Sequence, residues 1–440
     1  MKIVVIGGNA AGMSAASRAK RKAPESEVIV FEKTFEVSYG ACGLPYYVAG
    51  LNDNLDLMRI RSAAEFREAG VDLRMGHTVE RVDFAGKTVY GKDSTGNVFT
   101  ESYDRLLLST GASPRTLNVP GADKANIFTL KSLKDAERLR VALEKTGGNV
   151  VIVGGGAIGL ELAEACLLQQ VKSVHIIEAL GQLLPPFDEE FALSAKAELE
   201  AHGASVCLNE TVLSFSGGAA VDGVTTGSGS YPADVVVLSA GVVPNTQFLD
   251  GIEKLRNGAI KTDKAMKTSV PDVFAAGDCA SVWHAVLDQP AYLALGTNAN
   301  KQGRLAGDSL LGKKVCFDRA LGTTMVRCMG MEFAKAGLCE REARIAGISY
   351  KTQLVEARSH ARYYPDPCSI TIKLCYRADD HVLLGAQVMG KKETALRIDA
   401  LAVAIDQKMT TEELGFVDLG YAPPFASVWD AIHIAANASK

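Results

Sequence analysis

Short runs of consecutive apolar residues recur along the chain and indicate strands that are buried on both faces. Strands of this kind belong to parallel sheets covered by helices, since strands of half-exposed sheets alternate apolar and polar positions. Residues 3–6 and 150–153 each lie directly before a glycine-rich turn, and a stretch with helical spacing follows each turn. Residues 28–31 and 174–177 then supply a second apolar run. The pattern predicts two α/β units in one chain.

A different pattern begins after about residue 322. Two β-rich runs, residues 369–376 and 381–389, are separated by a polar turn, and an amphipathic helix follows with its apolar face at residues 398, 401, 402 and 405. Thr410 and Glu413 have the spacing of a capping box at the start of the next helix. The C-terminal part is therefore predicted to be an α+β domain.

The two predicted α/β units carry the same signature. The first turn reads G-G-N-A-A-G at residues 7–12, and the second reads G-G-G-A-I-G at residues 154–159. An acidic residue, Glu32 or Glu178, ends the second strand of each unit. This order is the dinucleotide-binding fingerprint: phosphates approach the amides at the helix start, and the acid binds ribose hydroxyls. Asn9 replaces the middle glycine of the first turn, but two such units are far more specific than one.

An internal echo indicates how the two units are connected. Residues 108–116 resemble residues 238–246, because each segment has an apolar strand, a small-Gly turn and a proline. Turn residues near 120 and 244 mark crossing points between domains. We therefore predict three domains: a discontinuous nucleotide-binding domain at 1–118 and 246–320, a second one at 119–245, and a C-terminal domain at 321–440.

Composition limits the class of protein. The chain has 440 residues, 47% of them hydrophobic and 22% charged, with a formal net charge of −4, whereas a nucleic-acid binder would usually be basic. The stretch closest to a membrane helix, residues 150–168, is interrupted by glycines, Glu161 and Glu164. A glycine turn follows residues 1–6 at once, without a cleavage-like stretch. We therefore expect a cytoplasmic globular protein that binds neither nucleic acid nor membrane.

The nine cysteines are scattered and include no Cys-x-x-Cys pair, which argues against a disulfide framework and against a metal site. A free cysteine is most often a small buried apolar residue, and we assign Cys279 and seven others to the core. Cys42 differs, because it lies in S-Y-G-A-C-G-L-P-Y at residues 38–46, between glycines that allow close approach. Gly43 and Pro45 favour a helix start there, and a helix N-terminus lowers the pKa of a thiol. We interpret Cys42 as a redox thiol.

Two dinucleotide-binding units, the Gly-Asp strand end at residues 277–278 and a C-terminal α+β domain together resemble the flavoprotein disulfide reductase superfamily over nearly the whole chain. The segment around Cys42 is most similar to its single-cysteine branch: coenzyme A-disulfide reductases, NAD(P)H-dependent persulfide or polysulfide reductases, and NADH oxidases. The resemblance implies an α/β fold class, with two Rossmann-like dinucleotide-binding domains plus a C-terminal α+β dimerisation domain. It assigns FAD to the discontinuous domain and NAD(P)H to the domain at 119–245.

The resemblance also implies which residues hold the cofactors. The first glycine turn and Glu32 would hold the FAD adenosine, and Asp278 would bind the ribityl chain. The implied FAD set is Gly7, Gly8, Ala10, Ala11, Gly12, Glu32, Lys33, Thr110, Gly111, Asp278, Gly296 and Thr297. The nicotinamide dinucleotide would bind at Gly154, Gly156, Gly159, Glu161, Glu178 and Gly241. Because Ala179 and no arginine follows Glu178, the sequence favours NADH over NADPH, with NADPH as the alternative.

Coenzyme A is the thiol that the resemblance implies, as substrate or as bound partner. A basic cluster at the far end of the first helix consists of Arg18, Lys20, Arg21 and Lys22. Such a cluster is suited to the phosphates of coenzyme A. The alternative is a solvated helix end whose cations interact with the helix dipole. The full set of substrate-binding candidates is Arg18, Arg21, Lys22, Ser38, Tyr39 and Arg61.

In the family, the C-terminal domain pairs two subunits, and the tail of one subunit completes the active site of the other. The resemblance therefore implies a homodimer in which tyrosines of one subunit reach Cys42 of its partner. The candidates are Tyr421 and one of Tyr363 and Tyr364. Their phenols could donate a proton or a hydrogen bond to a leaving thiolate. The alternative for these residues is packing at the interface, for which tyrosine is well suited.

Departures from sibling families narrow the expected function. Val37 lies where dithiol members have a second cysteine, Tyr421 where they keep a base, and Ala10 where peroxidase relatives have a histidine. We expect an enzyme that reduces coenzyme A disulfide, coenzyme A persulfide or polysulfide with NAD(P)H. Cys42 would form a mixed disulfide, persulfide or sulfenate. The alternatives are an NADH oxidase that reduces O2 through a Cys42 sulfenate, and a flavin-bearing redox sensor.

Overall fold

The computed structural model describes residues 1–439. Lys440, the last residue of the predicted C-terminal domain, lies outside the described residues. The first sheet is parallel throughout. Its five strands, in spatial order, are Val273–Ala275, Arg105–Leu108, Lys2–Ile6, Glu27–Glu32 and Asp72–Met75. The apolar runs that predicted the strands are buried inside this sheet, so both nucleotide-binding signals of the first unit lie at its carboxyl edge.

Two helices cover one face of the first sheet and pack closely on each other. They span Ala10–Lys22 and Gly296–Leu310 and share a hydrophobic cluster with the strand residue Val5. A Cβ atom at Gly303 would lie 2.3 Å from the carbonyl oxygen of Ala11, so a glycine is required where the helices cross. Residues far apart in sequence therefore meet along this pair of helices.

The second sheet repeats the plan of the first. All of its strand pairs are parallel, and the strands in spatial order are Ala204–Leu208, Ser173–Glu178, Asn149–Val153, Val235–Leu238 and Ile127–Thr129. The helices of this unit are Leu133–Thr146, Ala157–Leu168 and Glu189–Ala201. The second predicted glycine turn therefore joins the central strand of the sheet to a helix, as the fingerprint requires.

Smaller elements accompany the two parallel sheets. Two three-stranded antiparallel sheets have the strands His77–Asp83, Thr88–Asp93 and Val98–Ser102, and Val212–Ser216, Gly223–Thr226 and Ser230–Pro232. The two echoing segments of the sequence pair directly, because Ala112–Pro114 and Val242–Pro244 form an antiparallel ribbon. A further ribbon joins Val282–His284 to Gln289–Ala291. Short helices span Leu44–Val48 and Ala63–Glu68, and 3-10 turns span Ala41–Gly43 and Leu55–Met58.

The C-terminal part is an α+β unit built on a five-stranded antiparallel sheet. Its strands in spatial order are Thr324–Cys328, Met331–Gly337, Leu383–Gly390, Ser369–Arg377 and Tyr350–Arg358. The helices are Glu340–Ile345, Arg397–Asp406, Thr411–Leu414 and Ala431–Ala438. The predicted capping box is present, with the Thr410 side chain accepting from the Glu413 N–H. The predicted fold class, two Rossmann-like units plus a C-terminal α+β domain, is confirmed.

Residues 1–439 contain no helix that combines the length and the apolar character needed to cross a membrane. The same residues bring together no group of three or more His, Cys, Asp or Glu side chains able to hold a metal ion. All nine cysteines are free thiols. Covalent cross-links therefore do not constrain the site described below. Of the eight assigned to the core, five are buried and two, Cys207 and Cys368, are half-buried, but the assignment is wrong for Cys316, which is exposed.

Candidate active site

Both glycine turns are tight strand-to-helix turns that leave no room for a side chain at their first and last glycines. Gly7 has a φ of +107°, and a Cβ atom at Gly12 would lie only 1.9 Å from its carbonyl oxygen. The second turn has the same geometry, with a φ of +112° at Gly154 and a distance of 2.0 Å from the Gly154 carbonyl oxygen to a Cβ atom at Gly159. Helix N-termini with exposed amides bind anions. The geometry of both turns suits the phosphates of a dinucleotide.

The acidic residue that ends the second strand of each unit is hydrogen-bonded to the glycine turn of that unit. Glu32 accepts hydrogen bonds from the Gly8 N–H at 2.7 Å and from the Thr34 N–H at 2.8 Å. Glu178 accepts from the Gly155 N–H at 2.6 Å and from the Leu180 N–H at 2.8 Å. Each carboxylate oxygen has two acceptor positions. Both acids therefore keep acceptor capacity for the ribose hydroxyls expected there.

The first cleft, with a volume of about 350 Å³, lies between the first turn and Asp278. Of the implied FAD set, the residues that line it are Gly7, Gly8, Ala10, Ala11, Glu32, Lys33, Thr110, Gly111 and Asp278. Gly12 lies beneath the turn, and Gly296 and Thr297 open the helix Gly296–Leu310, which reaches the cleft with Ala299. The cleft, the turn with its glycines and small side chains, and the two acids suit the binding of FAD. The adenosine would lie at Glu32 and the ribityl chain at Asp278.

The residues implied for the nicotinamide dinucleotide surround the second turn. Among the described residues, no atom lies within 4 Å of the position that a Cβ atom would take at Gly156 or Gly241. This open backbone lets a pyrophosphate approach the helix start. Gly111 and Gly241 occupy equivalent ends of the two echoing segments, with φ of +67° and +90°. The open backbone of the second unit therefore suits a dinucleotide.

Cys42 lies in the 3-10 turn Ala41–Gly43, directly before the short helix Leu44–Val48, which has Pro45 in its first turn. The predicted helix start is confirmed. Cys42 reaches solvent, but the protein atoms around its thiol remove part of the water that would stabilise a thiolate. This partial burial, followed by the charges of Glu161 and Asp278, raises the pKa of the thiol rather than lowering it. This direction is opposite to the expected one, because a helix of five residues has a weak dipole and the nearby acids oppose a thiolate.

A second cleft, also of about 350 Å³, adjoins the first. Ala10 lines both clefts, and Ser38, four residues before Cys42, lines the second. Three arginines face this second cleft: Arg21, Arg61 and Arg304. The apolar part of its wall includes Ile60 and Phe66, and the Arg61 guanidinium stacks over the Phe66 ring at 4.1 Å. A cleft with three guanidinium groups suits a ligand with several phosphates.

The predicted substrate residues divide between several places. Arg21, Ser38 and Arg61 line the second cleft, whereas Tyr39 lines the first. Arg18 is held in an ion pair with Asp308 at 2.7 Å. Lys20 donates to the carbonyls of Pro24 and Ser26, and Lys22 is exposed at the helix end. The basic cluster is therefore not one phosphate site, and only Arg21 of its four cations faces the cleft.

Arg304 and Asn300 also line the second cleft, from the helix Gly296–Leu310, although the sequence pattern indicated neither as a functional residue. Their spacing of i and i+4 places them on one helix face. That spacing is visible in the sequence, but the neighbour of that face is not. It depends on the close crossing of this helix over the helix Ala10–Lys22.

The three candidate tyrosines lie on the C-terminal domain. The Tyr363 and Tyr421 hydroxyls are hydrogen-bonded to each other, and their side chains are 74% and 45% exposed. Tyr364 packs edge-on against the ring of His360. The segment after Tyr421 exposes further apolar side chains, Phe425, Val428 and Trp429. The structure thus brings Tyr363 and Tyr421 together on a surface rich in exposed aromatic groups.

A third cavity, of about 500 Å³, lies where the second unit meets the C-terminal domain, with Ala157 and Val326 in its lining. Its buried His284 accepts from the backbone N–H groups of Val286 and Leu287. Burial lowers the pKa of His284 to about 4. The imidazole is therefore neutral near pH 7, and its ring nitrogen accepts hydrogen bonds from the backbone beside the cavity.

Comparison with known families identifies the enzymes that share this architecture. Residues 1–303 match the pyridine nucleotide-disulphide oxidoreductase family, and residues 324–432 match the dimerisation domain of the same family. The chain belongs to the pyridine nucleotide-disulphide oxidoreductases. It is therefore an oxidoreductase of a family that uses FAD and NAD(P)H, and the matched dimerisation domain implies a homodimer.

Relatives that match over nearly the full length of the chain indicate the branch of the family to which it is most similar. The chain is 38% identical over 441 residues to an NAD(P)H sulfur oxidoreductase (CoA-dependent) of Pyrococcus abyssi, covering 100% of this chain and 98% of the relative. It is 32% identical to an NADH oxidase of Enterococcus faecalis, covering 100% and 99%. The structure of an NAD-dependent persulfide reductase from A. fulgidus superposes with a TM-score of 0.96 at 33% identity, covering 99% of this chain and 82% of that one. The resemblance to the single-cysteine branch is confirmed.

Proposed function

We propose that this oxidoreductase uses NADH to reduce coenzyme A disulfide or coenzyme A persulfide, with polysulfide as a further acceptor, through Cys42. The observation that carries the proposal is the second cleft, where Arg21, Arg61 and Arg304 converge next to the loop that holds Cys42. Coenzyme A has several phosphates at the end opposite its sulfur, and guanidinium groups bind phosphates in a forked geometry. The CoA dependence of the Pyrococcus abyssi relative supports the same class of substrate.

Different residues of this chain would bind the two cofactors and the substrate. The first turn, Glu32 and Asp278 would hold FAD, and the second turn and Glu178 would hold NADH. Bound in the first cleft, FAD would supply two-electron transfer between NADH and a sulfur–sulfur bond. The arginines would orient coenzyme A so that its sulfur points to Cys42.

Cys42 would carry the covalent step. In the resting protein, Cys42 and coenzyme A form a mixed disulfide, and two electrons split it into a Cys42 thiolate and a coenzyme A thiolate, which takes up a proton. The Cys42 thiolate then attacks coenzyme A disulfide, reforms the mixed disulfide and expels a second coenzyme A thiolate. With coenzyme A persulfide, the same attack expels hydrosulfide instead. With coenzyme A disulfide, one NADH and one proton are consumed in each cycle. With coenzyme A persulfide, NADH supplies both the electron pair and the proton taken up by the released coenzyme A, and no further proton is consumed.

The choice of NADH rests on Glu178. Its carboxylate is buried and hydrogen-bonded to the turn that would hold the pyrophosphate. A buried carboxylate at the ribose position accepts a hydroxyl and repels a 2′-phosphate. We therefore propose NADH as the donor, with NADPH as the alternative.

Two measurements on the wild-type protein test the proposal. The intact mass before and after reduction would reveal a coenzyme A adduct, and peptide mapping would locate it on the Cys42 peptide. Steady-state NADH oxidation would be compared with coenzyme A disulfide, coenzyme A persulfide, polysulfide and air as acceptors. Rapid turnover with air together with a Cys42 sulfenate would favour the NADH oxidase, and tight FAD binding without turnover would favour a redox sensor.

Replacing Arg304 with alanine is expected to weaken the binding of coenzyme A substrates. A charge-assisted hydrogen bond contributes about 1.5–3 kcal/mol, so the KM for coenzyme A disulfide should rise by about tenfold or more, with kcat changed little. Lys22→Ala is the matched control, since Lys22 is a cation of the basic cluster that does not line the cleft. Inorganic polysulfide, which has no phosphates, should be turned over equally well by both variants. An unchanged KM for coenzyme A disulfide in Arg304→Ala would speak against the cleft.

Replacing Tyr421 with phenylalanine tests the proposed contribution of the C-terminal domain. If the Tyr421 phenol of one subunit assists the leaving thiolate at Cys42 of the other, the sulfur half-reaction should slow by at least about tenfold. Reduction of the bound flavin by NADH should keep its rate in anaerobic stopped-flow measurements. Tyr90→Phe removes a phenol that lies beneath Arg81 on a distant sheet and should slow neither half-reaction. Equal slowing of both half-reactions in Tyr421→Phe would remove the proposed role.

A further inference from the structure

The residue that interrupts the first glycine fingerprint contacts the loop that carries Cys42. Asn9 is the N-cap of the helix Ala10–Lys22, a position where an asparagine side chain usually accepts a hydrogen bond from the first helical turn. Within residues 1–439, the Asn9 carboxamide makes no such bond. Its Oδ1 atom accepts instead from the N–H of Tyr39, three residues before Cys42, at 3.2 Å. The Asn9 side chain therefore leaves the amides at the helix start to the phosphates expected there.

The backbone at this position does not require a glycine, because the φ of Asn9 is −112°, a value open to residues with side chains. Asn9 and Tyr39 both line the first cleft. The hydrogen bond between them therefore lies in the wall of the cleft that suits FAD. It joins the glycine turn on one side of this wall to the redox loop on the other.

Backbone hydrogen bonds hold the neighbouring residue of the same loop. The Ser38 N–H donates to the Gly8 carbonyl at 3.1 Å, and the Ile60 N–H donates to the Ser38 carbonyl at 2.9 Å. Ser38 has a φ of +49°, a left-handed conformation that persists only where the surroundings fix it. Of the bonds named here, the one from Tyr39 ends on a side chain, so a substitution of Asn9 removes it and leaves the others in place.

Only a short stretch of chain separates this bond from the thiol. Gly40 follows Tyr39, and its carbonyl accepts from the Gly43 N–H at 3.0 Å, which closes the 3-10 turn Ala41–Gly43 around Cys42. A displacement of Tyr39 is therefore transmitted to Cys42 through one tight turn. Misplacing a reacting group by about 1 Å slows a reaction by up to about 100-fold, so the attachment of Tyr39 matters for a step at the thiol.

We propose that Asn9 is a positioning residue that holds the Cys42 loop against the first glycine turn, so that the thiol keeps its place beside the first cleft during the sulfur step. The inference deepens the proposed function and rests on Cys42 being the reacting thiol. Asn9 acts through the Tyr39 N–H and the backbone of the loop. A glycine, which the fingerprint prefers at this position, would admit the pyrophosphate without holding the loop.

Asn9→Gly restores the glycine of the fingerprint and removes the hydrogen bond to Tyr39. The variant should bind as much FAD as the wild type, and NADH should reduce its flavin within about threefold of the wild-type rate. Anaerobic stopped-flow mixing of the reduced protein with coenzyme A disulfide then follows reoxidation of the flavin. This sulfur half-reaction should slow by about tenfold, in line with a displacement of the thiol by less than about 1 Å.

Amide hydrogen exchange measures the attachment of the loop without any turnover. In FAD-loaded Asn9→Gly, peptides that cover residues 36–44 should exchange at least about fivefold faster than in the wild type, because an ordinary hydrogen bond is lost. Peptides that cover residues 10–22 should keep the wild-type rate, since the Asn9 side chain does not cap that helix. Mass spectrometry reads both regions in the same sample.

Two further variants separate the hydrogen bond from a general loss of structure. Asn9→Asp keeps an acceptor oxygen for the Tyr39 N–H, so loop exchange and the sulfur half-reaction, expressed per bound flavin, should stay near wild-type values. Asn257→Gly is the matched control. The Asn257 carboxamide also accepts from a backbone N–H at 3.2 Å, that of Ala259, and among the described residues Asn257 belongs to none of the three cavities above. It should alter neither measurement.

Several results would overturn the inference. These are loss of FAD from Asn9→Gly, equal slowing of both of its half-reactions, an unchanged sulfur half-reaction, and equal slowing in Asn9→Gly and Asn9→Asp. Faster loop exchange in Asn9→Gly, in a protein that reduces no sulfur substrate even as wild type, would reject the proposed function and leave the attachment of the loop by Asn9 intact.

Discussion

Cys42→Ser is expected to lose turnover of coenzyme A disulfide, coenzyme A persulfide and polysulfide by a factor of at least about 10³, since removing a nucleophile costs at least that much in comparable enzymes. A hydroxyl in the same place forms no mixed disulfide and leaves no thiolate to attack the next substrate. The glycine turns and the acids that brace them lie outside the substitution. The variant should therefore still bind FAD, and NADH should still bleach its flavin absorbance.

Measuring flavin reduction by NADH separately from turnover of the sulfur substrate shows which of the two steps Cys42→Ser removes. Anaerobic stopped-flow mixing with NADH should give flavin reduction within about threefold of the wild-type rate, a change too small to reflect a lost catalytic group. Cys316→Ser is the control, because Cys316 is also exposed and lies in the loop after the helix Gly296–Leu310. It should be fully active. Sulfur-substrate turnover at wild-type rate in Cys42→Ser would remove the mechanism, and retained NADH oxidation with air alone would point to a reaction at the flavin itself.

Gly12→Val is expected to yield protein with little bound FAD. A side chain at this position would overlap the Gly7 carbonyl oxygen at 1.9 Å and the Ser109 hydroxyl at 2.6 Å. Relieving such an overlap costs about 1–3 kcal/mol or more, and the movement would displace the helix start that should bind the pyrophosphate. FAD affinity should fall by at least about tenfold, as measured by the flavin absorbance of the purified protein and by titration with FAD.

Gly156→Ala provides the comparison for Gly12→Val. It places a methyl group in the second glycine turn, where no described atom lies within 4 Å of the new Cβ. This variant should retain its full FAD content. Circular dichroism of both variants would show whether the sheets remain folded. A full complement of FAD in Gly12→Val would contradict the assignment of the first turn.

Local patterns in the sequence were sufficient to predict some features of the structure. The glycine turns could be predicted because contacts of the backbone with itself, such as that between Gly7 and Gly12, leave no alternative residue. The start of the helix after Cys42 could be predicted because a proline within a helix is best tolerated in the first turn, where Pro45 lies. These signals depend on neighbours a few residues away.

Other features depend on which surfaces meet, and the sequence alone did not reveal them. Arg304 could not be placed in the second cleft without knowing which helix packs on Ala10–Lys22. The direction of the Cys42 pKa shift was expected wrongly, because Glu161 and Asp278 approach from distant parts of the chain. Arg18 was counted among the phosphate ligands, but the structure pairs it with Asp308. In each case, a contact between remote segments decides the property.

The order of strands in the first sheet has a consequence for biosynthesis. Its edge strand, Val273–Ala275, is made about 270 residues after the central strand Lys2–Ile6, a delay of roughly 15–60 s at typical rates of translation. The second sheet is encoded without interruption between Ile127 and Leu238. We therefore expect the later-encoded nucleotide unit to fold first on the ribosome, while Arg105–Leu108 waits with an unpaired edge for its neighbour to emerge.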